Sequence, residues 1–290
     1  MLRSLVGSEM CIRDSNNGAM GAPLITEEPY ASNGTVPVYD ADAHIAEPTS
    51  VWEEYTDPKY RDLVMQCRPT GAADSVFVED ESMDTSAAPA CIPNAYGTNV
   101  TWDDIVPGSY DPVERLKVMD AEGLAAALMF PSVHLMSGDI ADGDVAAANA
   151  RGYNRWMSDF VSENPDRLFG VGVTPLQSID HAVAEIEFCA QAGLTGMTFR
   201  PERYNGLELF SDEMDRVWAA AEDHNMTVAI HGSFGSKMKS FARTRYTNQF
   251  YVHMVCHPFE QMASVMEMVA SGVLDNHPQL RVGFFESGLG

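Results

Sequence analysis

The chain has 290 residues, 45% of them hydrophobic, enough to bury one large core or two modest ones. Its 42 acidic residues against 18 basic give a formal charge of -24. That excess argues against nucleic-acid binding through a general positive field and against anchoring on an anionic membrane surface. A local cationic pocket for a small acid stays compatible with it.

The first stretch, MLRSLVGSEMCIRDS, has a short apolar patch but no signal-peptide core. Its SEMCIRDS portion resembles translated sequencing-adapter readthrough, so residues 1–16 are set aside. With the Gly-, Pro- and Asn-rich stretch that follows, residues 1–37 are expected to form an N-terminal arm. VYDADAHI at 38–45 reads as the first core strand. Alternation puts Val38, Asp40, Asp42 and His44 on one face and Tyr39, Ala41, Ala43 and Ile45 on the other. Residues 49–110 are expected to insert a cap over one mouth of the core. They begin with one or two short helices around Pro58 and continue as a polar, weakly periodic stretch.

From Asp111 the pattern becomes regular. Helices are expected over 111–123, 144–163, 178–192, 211–224 and 258–274, with Ser211 capping the fourth and Pro258 in the first turn of the fifth. Strands are expected over 126–132, 167–176, 196–201, 226–232 and 281–288. Apolar strands alternating with helices imply parallel βα units. Six strands suit either a doubly wound sheet or part of an eight-stranded barrel. Because ESGLG follows the last strand directly, the sequence is expected to be cut there. Two further βα units would add about 60 residues.

Five cysteines, Cys11, Cys67, Cys91, Cys189 and Cys256, are odd in number and far apart, so neither a disulfide framework nor a zinc ribbon is expected. No apolar run reaches membrane-spanning length. A reducing, cytoplasmic setting is the economical expectation.

Polar residues recur at the strand ends: Asp42 and His44 on the first strand, Arg200 on the fourth, His231 on the fifth, Glu286 on the sixth. In a barrel these ends meet at one mouth. Asp42, His44 and His231 make a mixed oxygen and nitrogen donor set for one divalent ion, or else strand-end residues satisfied by local hydrogen bonds. His257 reads as a ligand, proton shuttle or packing residue, with His253 one helical turn before it. Glu286 reads as a general acid or base, a ligand, or the ion-pair partner of Arg200 or Arg281. Arg200 reads as a carboxylate clamp or a structural ion pair. His134 faces the same mouth as a marginal candidate, whereas His181, His224 and His277 read as structural or solvent-facing. The basic segment 232–246 is either an anion-attracting loop or a solvated one. No HExxH, CxxC, GxSxG or complete P-loop pattern competes with these readings.

YDADAHIAEP, the strand-end His231 in AIHGS, CHPFEQM and SGVLDNHPQLRVGFFESGLG together resemble the amidohydrolase-related superfamily. The similar branch contains aminocarboxymuconate-semialdehyde and resorcylate-type decarboxylases. The resemblance covers most of 39–290 and implies a (β/α)8 TIM barrel of the metal-dependent hydrolase type, here with about six of its eight units. It implies one divalent ion, zinc first and manganese, iron or cobalt as alternatives, held by Asp42, His44 and His231. A further Asp ligand is expected after an eighth strand that this sequence does not include. Glu286 stands where the decarboxylases often carry His, which weakens transfer of their detailed mechanism.

Three activities follow for the intact parent. One is a carboxy-lyase for a small unsaturated or phenolic acid, with Arg200 orienting the acid and His257 transferring the proton. Another is a metal-dependent hydrolase of a lactone, amide or ester, with Glu286 or the missing Asp managing the proton. The third is an inactive barrel used as a binding module. The expected partners are a small carboxylic acid and a second copy of the chain, with no nucleic acid and no membrane.

Overall fold

The structure, a computed structural model, describes residues 37–48, 50–69, 74–78, 81–82, 105–204, 206–232 and 239–288. Strand β1 (Val38–His44) leads into short helical turns at Val51–Tyr55 and Pro58–Tyr60, on either side of the Asp57–Pro58 step. Then come β2 (Gln66–Pro69), β3 (Asp74–Val78) and β4 (Glu81–Ser82), which pair antiparallel in a sheet of their own. Sequence periodicity does not reveal these strands, because runs of two to five residues are too short to display a period.

The remainder alternates as expected: α1 (Pro112–Glu122), β5 (Leu124–Phe130), α2 (Gly143–Ser162), β6 (Leu168–Val173), α3 (Ile179–Gln191), β7 (Gly196–Phe199), α4 (Asp215–Asp223), β8 (Thr227–His231), α5 (Gln249–Ala270), α6 (Val273–Asn276) and β9 (Arg281–Phe285). Local chemistry sets several boundaries. Asp111 accepts from the Glu114 amide at 2.9 Å to start α1, Pro112 follows it, and Gly123 ends the helix with a left-handed φ of 73°. Asp142 and Ser178 cap α2 and α3 through their side chains.

Two boundaries differ from the sequence expectation. Ser211 makes no side-chain cap; a single 3-10 turn at Asp212–Met214 feeds α4 instead. Helix α5 begins nine residues before Pro258, capped by Asn248, so Pro258 lies inside it rather than in its first turn. Proline lacks only one donor, and the apolar stripe that buries Val252 and Cys256 carries the helix through it.

The main sheet has the order β1-β5-β6-β7-β8-β9, and every pairing is parallel. Spatial order follows chain order throughout. A doubly wound sheet reverses direction partway, so this connectivity selects the barrel wall. The sheet is also curled. Phe130 on β5 and Phe285 on β9 lie four strand spacings apart, about 19 Å if the sheet were flat. Their ring centroids are 4.7 Å apart. They share an inner cluster with Leu128, Val171 and Ala229. The result is a six-stranded half-barrel with helices on its outer face, consistent with part of a (β/α)8 barrel.

Gly170 on β6 shows how tightly α2 and the segment after α3 sit on this wall. A Cβ there would lie 2.7 Å from Leu194 Cδ2 and 2.8 Å from Met157 Cγ. Gly170→Ala is expected to lower the urea midpoint by an amount corresponding to about 1–3 kcal/mol with an unchanged m-value. A midpoint equal to that of the parent chain would contradict this packing.

Candidate metal centre

Asp42 and His44 sit two residues apart near the end of β1 and point to the same side, as alternation requires. The β1–β5 register slips between Asp40 and Ala43, an irregularity that contains Asp42 and ends just before His44. His231 is the last residue of β8. One side-chain atom from each of the three lies within 4.8 Å of the others. His44 Nε2 is 3.2 Å from His231 Nε2. Asp42 Oδ1 is 3.3 Å from His231 Nε2 and 3.8 Å from His44 Nε2.

Backbone carbonyls orient both rings. His44 Nδ1 donates to Pro131 O at 2.9 Å, and His231 Nδ1 donates to Gly232 O at 2.6 Å. A carbonyl only accepts, so each neutral ring carries its proton on Nδ1. Both Nε2 lone pairs then face one another and the Asp42 oxygen. Such a convergence is repulsive unless a cation or a proton lies between them. Asp42 Oδ1 is buried and accepts no well-formed hydrogen bond. Two oriented imidazoles and a buried carboxylate oxygen therefore fit a divalent ion.

Without an ion, charge is shared unequally. Burial works against charge on His231, but Asp42 and Glu286 hold its pKa above the usual imidazole value. Burial pushes the Asp42 carboxyl up, but His231, His44 and the Glu286 backbone together outweigh it, so its pKa is lowered. Burial and the neighbouring His231 push His44 down to about 4. One proton on the Asp42–His231 pair thus occupies the place suited to a metal ion.

His257 and Glu286 lie beside this set. His257 Nδ1 is 3.2 Å from Glu286 Oε2. The His257 ring packs over Gly232, where an added Cβ would come within 3.2 Å of it. Burial, with His253, His231 and Arg200 nearby, pushes His257 down to about 3. Burial raises Glu286, although His231 opposes this. Glu286 adopts φ 51°, a left-handed conformation uncommon for a residue with a side chain, and its backbone amide donates to Asp42. The acid thus pairs with His257, while Arg281 donates to Asn225 O.

Arg200 is buried near these groups, but its fork is taken. Nε and Nη2 donate to the two Glu202 oxygens at 2.9 and 2.7 Å, and Nη1 donates to Leu135 O at 2.9 Å. His134 does not line the mouth; it is fully buried, stacked on Trp52 and held by Glu47. His253 packs edge-on against His257. His277 is a buried structural residue between Asp215 and Glu222, and His181 pairs with Asp144. In the basic segment, residues 233–238 lie outside the described residues.

Two contributors were not singled out from sequence. Gln261 on α5 donates to Ile230 O and Phe285 O, tying the ends of β8 and β9 together next to His231 and Glu286. Glu47 lies three residues beyond His44, inside the YDADAHIAEP stretch, where an acid before Pro48 resembles an ordinary turn. A separate cavity of about 360 Å³ opens at the opposite strand ends beside Gly196, Thr227 and Arg281, away from the candidate ligands. No helix among the described residues is long and apolar enough to cross a membrane.

The chain belongs to the amidohydrolase family, whose model matches residues 39–290. It is 24% identical over 180 residues to a 2-amino-3-carboxymuconate-6-semialdehyde decarboxylase of Dictyostelium discoideum, covering 62% of this chain and 48% of that protein. The chain therefore spans about half the length of this curated relative. An amidohydrolase from Mycobacterium avium subsp. paratuberculosis shares the fold with a TM-score of 0.61 at 19% identity, over 86% of this chain and 71% of that one. A dihydroxybenzoic acid decarboxylase from Polaromonas, with bound manganese and 2-nitroresorcinol, matches with a TM-score of 0.55 at 14% identity, over 86% and 64%.

The pKa directions predict acid sensitivity of the metal-free protein. His44 and His257 remain neutral until about pH 4 and about pH 3 when folded, whereas unfolded histidines take up protons near 6.5. Stability therefore falls as pH drops from 6.5 toward 4, with the raised His231 offsetting part of the loss. In EDTA the urea midpoint is expected to fall between pH 7 and 4.5, and to fall less in His257→Gln. A midpoint that is flat over this range, or an unaltered fall in the variant, would contradict the assignment.

Proposed function

We propose that the intact protein is a metal-dependent carboxy-lyase for a small unsaturated or phenolic carboxylic acid. The observation that carries this reading is the His257–Glu286 pair, which places a proton carrier beside the Asp42, His44 and His231 donors. The names of the Dictyostelium and Polaromonas relatives support decarboxylation as the reaction. A bound divalent ion would supply the positive charge that holds an acid's carboxylate and neighbouring oxygen and stabilises developing negative charge. The imidazole-containing donor set favours zinc, and the manganese in the Polaromonas protein makes manganese the chief rival.

This chain's residues then divide the work. Asp42, His44 and His231 hold the ion. The carbon–carbon bond to the carboxylate breaks, carbon dioxide leaves, and the carbon takes one proton. His257, neutral at ordinary pH, relays that proton: it gives up the proton of one ring nitrogen as the other takes one from Glu286, whose pKa burial raises. The Glu286 side chain is 34% exposed, which gives the pair a route to solvent protons. Arg200 acts as a positioning residue: it fixes Glu202 and Leu135 and sets positive charge near the pair rather than gripping substrate with its fork.

Hydrolysis of a lactone, amide or ester is the second reading. The specific feature in its favour is Glu286, a carboxylate able to accept a proton where the decarboxylases often carry His. A binding module without catalysis leaves the oriented histidine pair unused.

We further place the protein in the cytoplasm as a homodimer. The buried free thiols of Cys189 and Cys256 suit a reducing setting. Along α5 the exposed side chains, including Tyr251, Met254, Phe259, Met262, Met266 and Val269, are all uncharged and apolar. On a chain of charge -24, such a face gives two copies a surface to meet on that sets no like charges directly against each other.

The reaction is tested with metal-reconstituted protein and a panel of phenolic and unsaturated acids, dihydroxybenzoates included. Release of carbon dioxide without oxygen-18 entering a new carboxylate is expected, and His257→Asn should slow it by roughly 10²–10⁴-fold. Oxygen-18 incorporation without carbon dioxide would support hydrolysis instead. For the dimer, sedimentation should show two copies for the parent chain and one for Met262→Glu; a monomeric parent would overturn that assignment.

A further inference from the structure

Glu47 is fully buried and is neither one of the three metal donors nor part of the His257–Glu286 pair. Its Oε1 accepts from the Ser132 and His134 amides, both at 3.0 Å, and from His134 Nδ1 at 3.1 Å. Its Oε2 accepts from the Val133 amide at 3.0 Å. Those three amides open the 3-10 turn Val133–Asp139. Ser132, the local capping position, makes no side-chain cap of its own. The acceptor comes instead from the chain just after β1, three residues past a metal-ligand candidate.

Two links therefore join the same pair of segments. His44 Nδ1 bonds to Pro131 O, and Glu47 bonds to the next three amides. The carbonyl that sets the His44 tautomer is the residue before the turn that Glu47 grips. With that turn released, Pro131 O can swing away. His44 is then free to rotate or to move its proton to Nε2, which turns a lone-pair donor into an N–H.

We propose that Glu47 is a positioning residue for the metal centre, holding His44 in its ligating tautomer through the 131–134 turn. This rests on the metal-site reading above. Outer hydrogen-bond partners of ligating histidines are typically worth about 10–100-fold in metal affinity. Glu47→Gln keeps the side-chain shape but sets an amide group against backbone donors, and it removes the charge.

The test is a Co²⁺ titration of the full chain, followed by visible absorption at a temperature where circular dichroism shows the variant folded. Glu47→Gln is expected to weaken Co²⁺ binding by about 10–100-fold and to shift the d–d bands at saturation. A variant with a lower melting temperature but the parent's affinity and bands would show a merely structural role and overturn the proposal. If Glu47→Gln does not fold, His134→Phe decides. It keeps the stacking on Trp52, removes one hydrogen bond to Glu47 and touches no ligand. A several-fold weaker affinity supports the proposal, and an unchanged one overturns it. A parent chain that binds no Co²⁺ overturns the metal-site reading and this inference with it; a parent that binds, with variants that bind equally well, overturns this inference alone.

Discussion

Two imidazole lone pairs and one carboxylate oxygen meet within a few ångströms, and the surrounding structure keeps them there. Left alone, such an arrangement would relax by turning a ring or flipping a tautomer. Pro131 O and Gly232 O prevent that by engaging the opposite nitrogen of each ring. The free energy that fixes these carbonyls comes from elsewhere: the curled sheet, the Glu47 clamp on the 131–134 turn and the Gln261 tie across β8 and β9. The geometry of the site is a property of the wall as much as of the ligands.

Curvature is what makes the site possible. His44 and His231 are 187 residues apart in sequence, and β1 and β8 are separated by three strands. In a flat parallel sheet their ends would be far beyond metal-bridging distance. The inner apolar cluster, with Phe130 meeting Phe285, closes that gap and floors the site. The Glu286 amide completes the arc by reaching back from β9 to Asp42 on β1. That contact coincides with the left-handed backbone at Glu286, so local strain there coincides with the site's closure.

Much of this was legible in the sequence where a short period and a chemical demand coincide. Asp42 and His44 share a face because a strand has period two, and His231 ends an unmistakable apolar strand. What escaped did so for definable reasons. Pro58 marks a break between turns, whereas Pro258, expected in the first turn of a helix, lies inside one, because the flanking apolar pattern outweighs one missing donor. For Arg200 the sequence leaves a carboxylate clamp and a structural ion pair open, and Glu202, two residues on, occupies its Nε and Nη2. Glu47 gives no signal in the sequence, because its partners are backbone amides 85 to 87 residues away. Backbone partners leave no residue-type signal, so only a folded structure reveals them.

The central claim is that His44 and His231 present Nε2 to the same ion together with Asp42. X-ray absorption on the zinc-loaded chain tests it most directly. The predicted spectrum has two imidazole nitrogens and carboxylate oxygen at about 2.0–2.2 Å, reduced to one imidazole in His231→Ala. A sulfur shell, or a spectrum with two imidazoles that survives this substitution, would contradict the account.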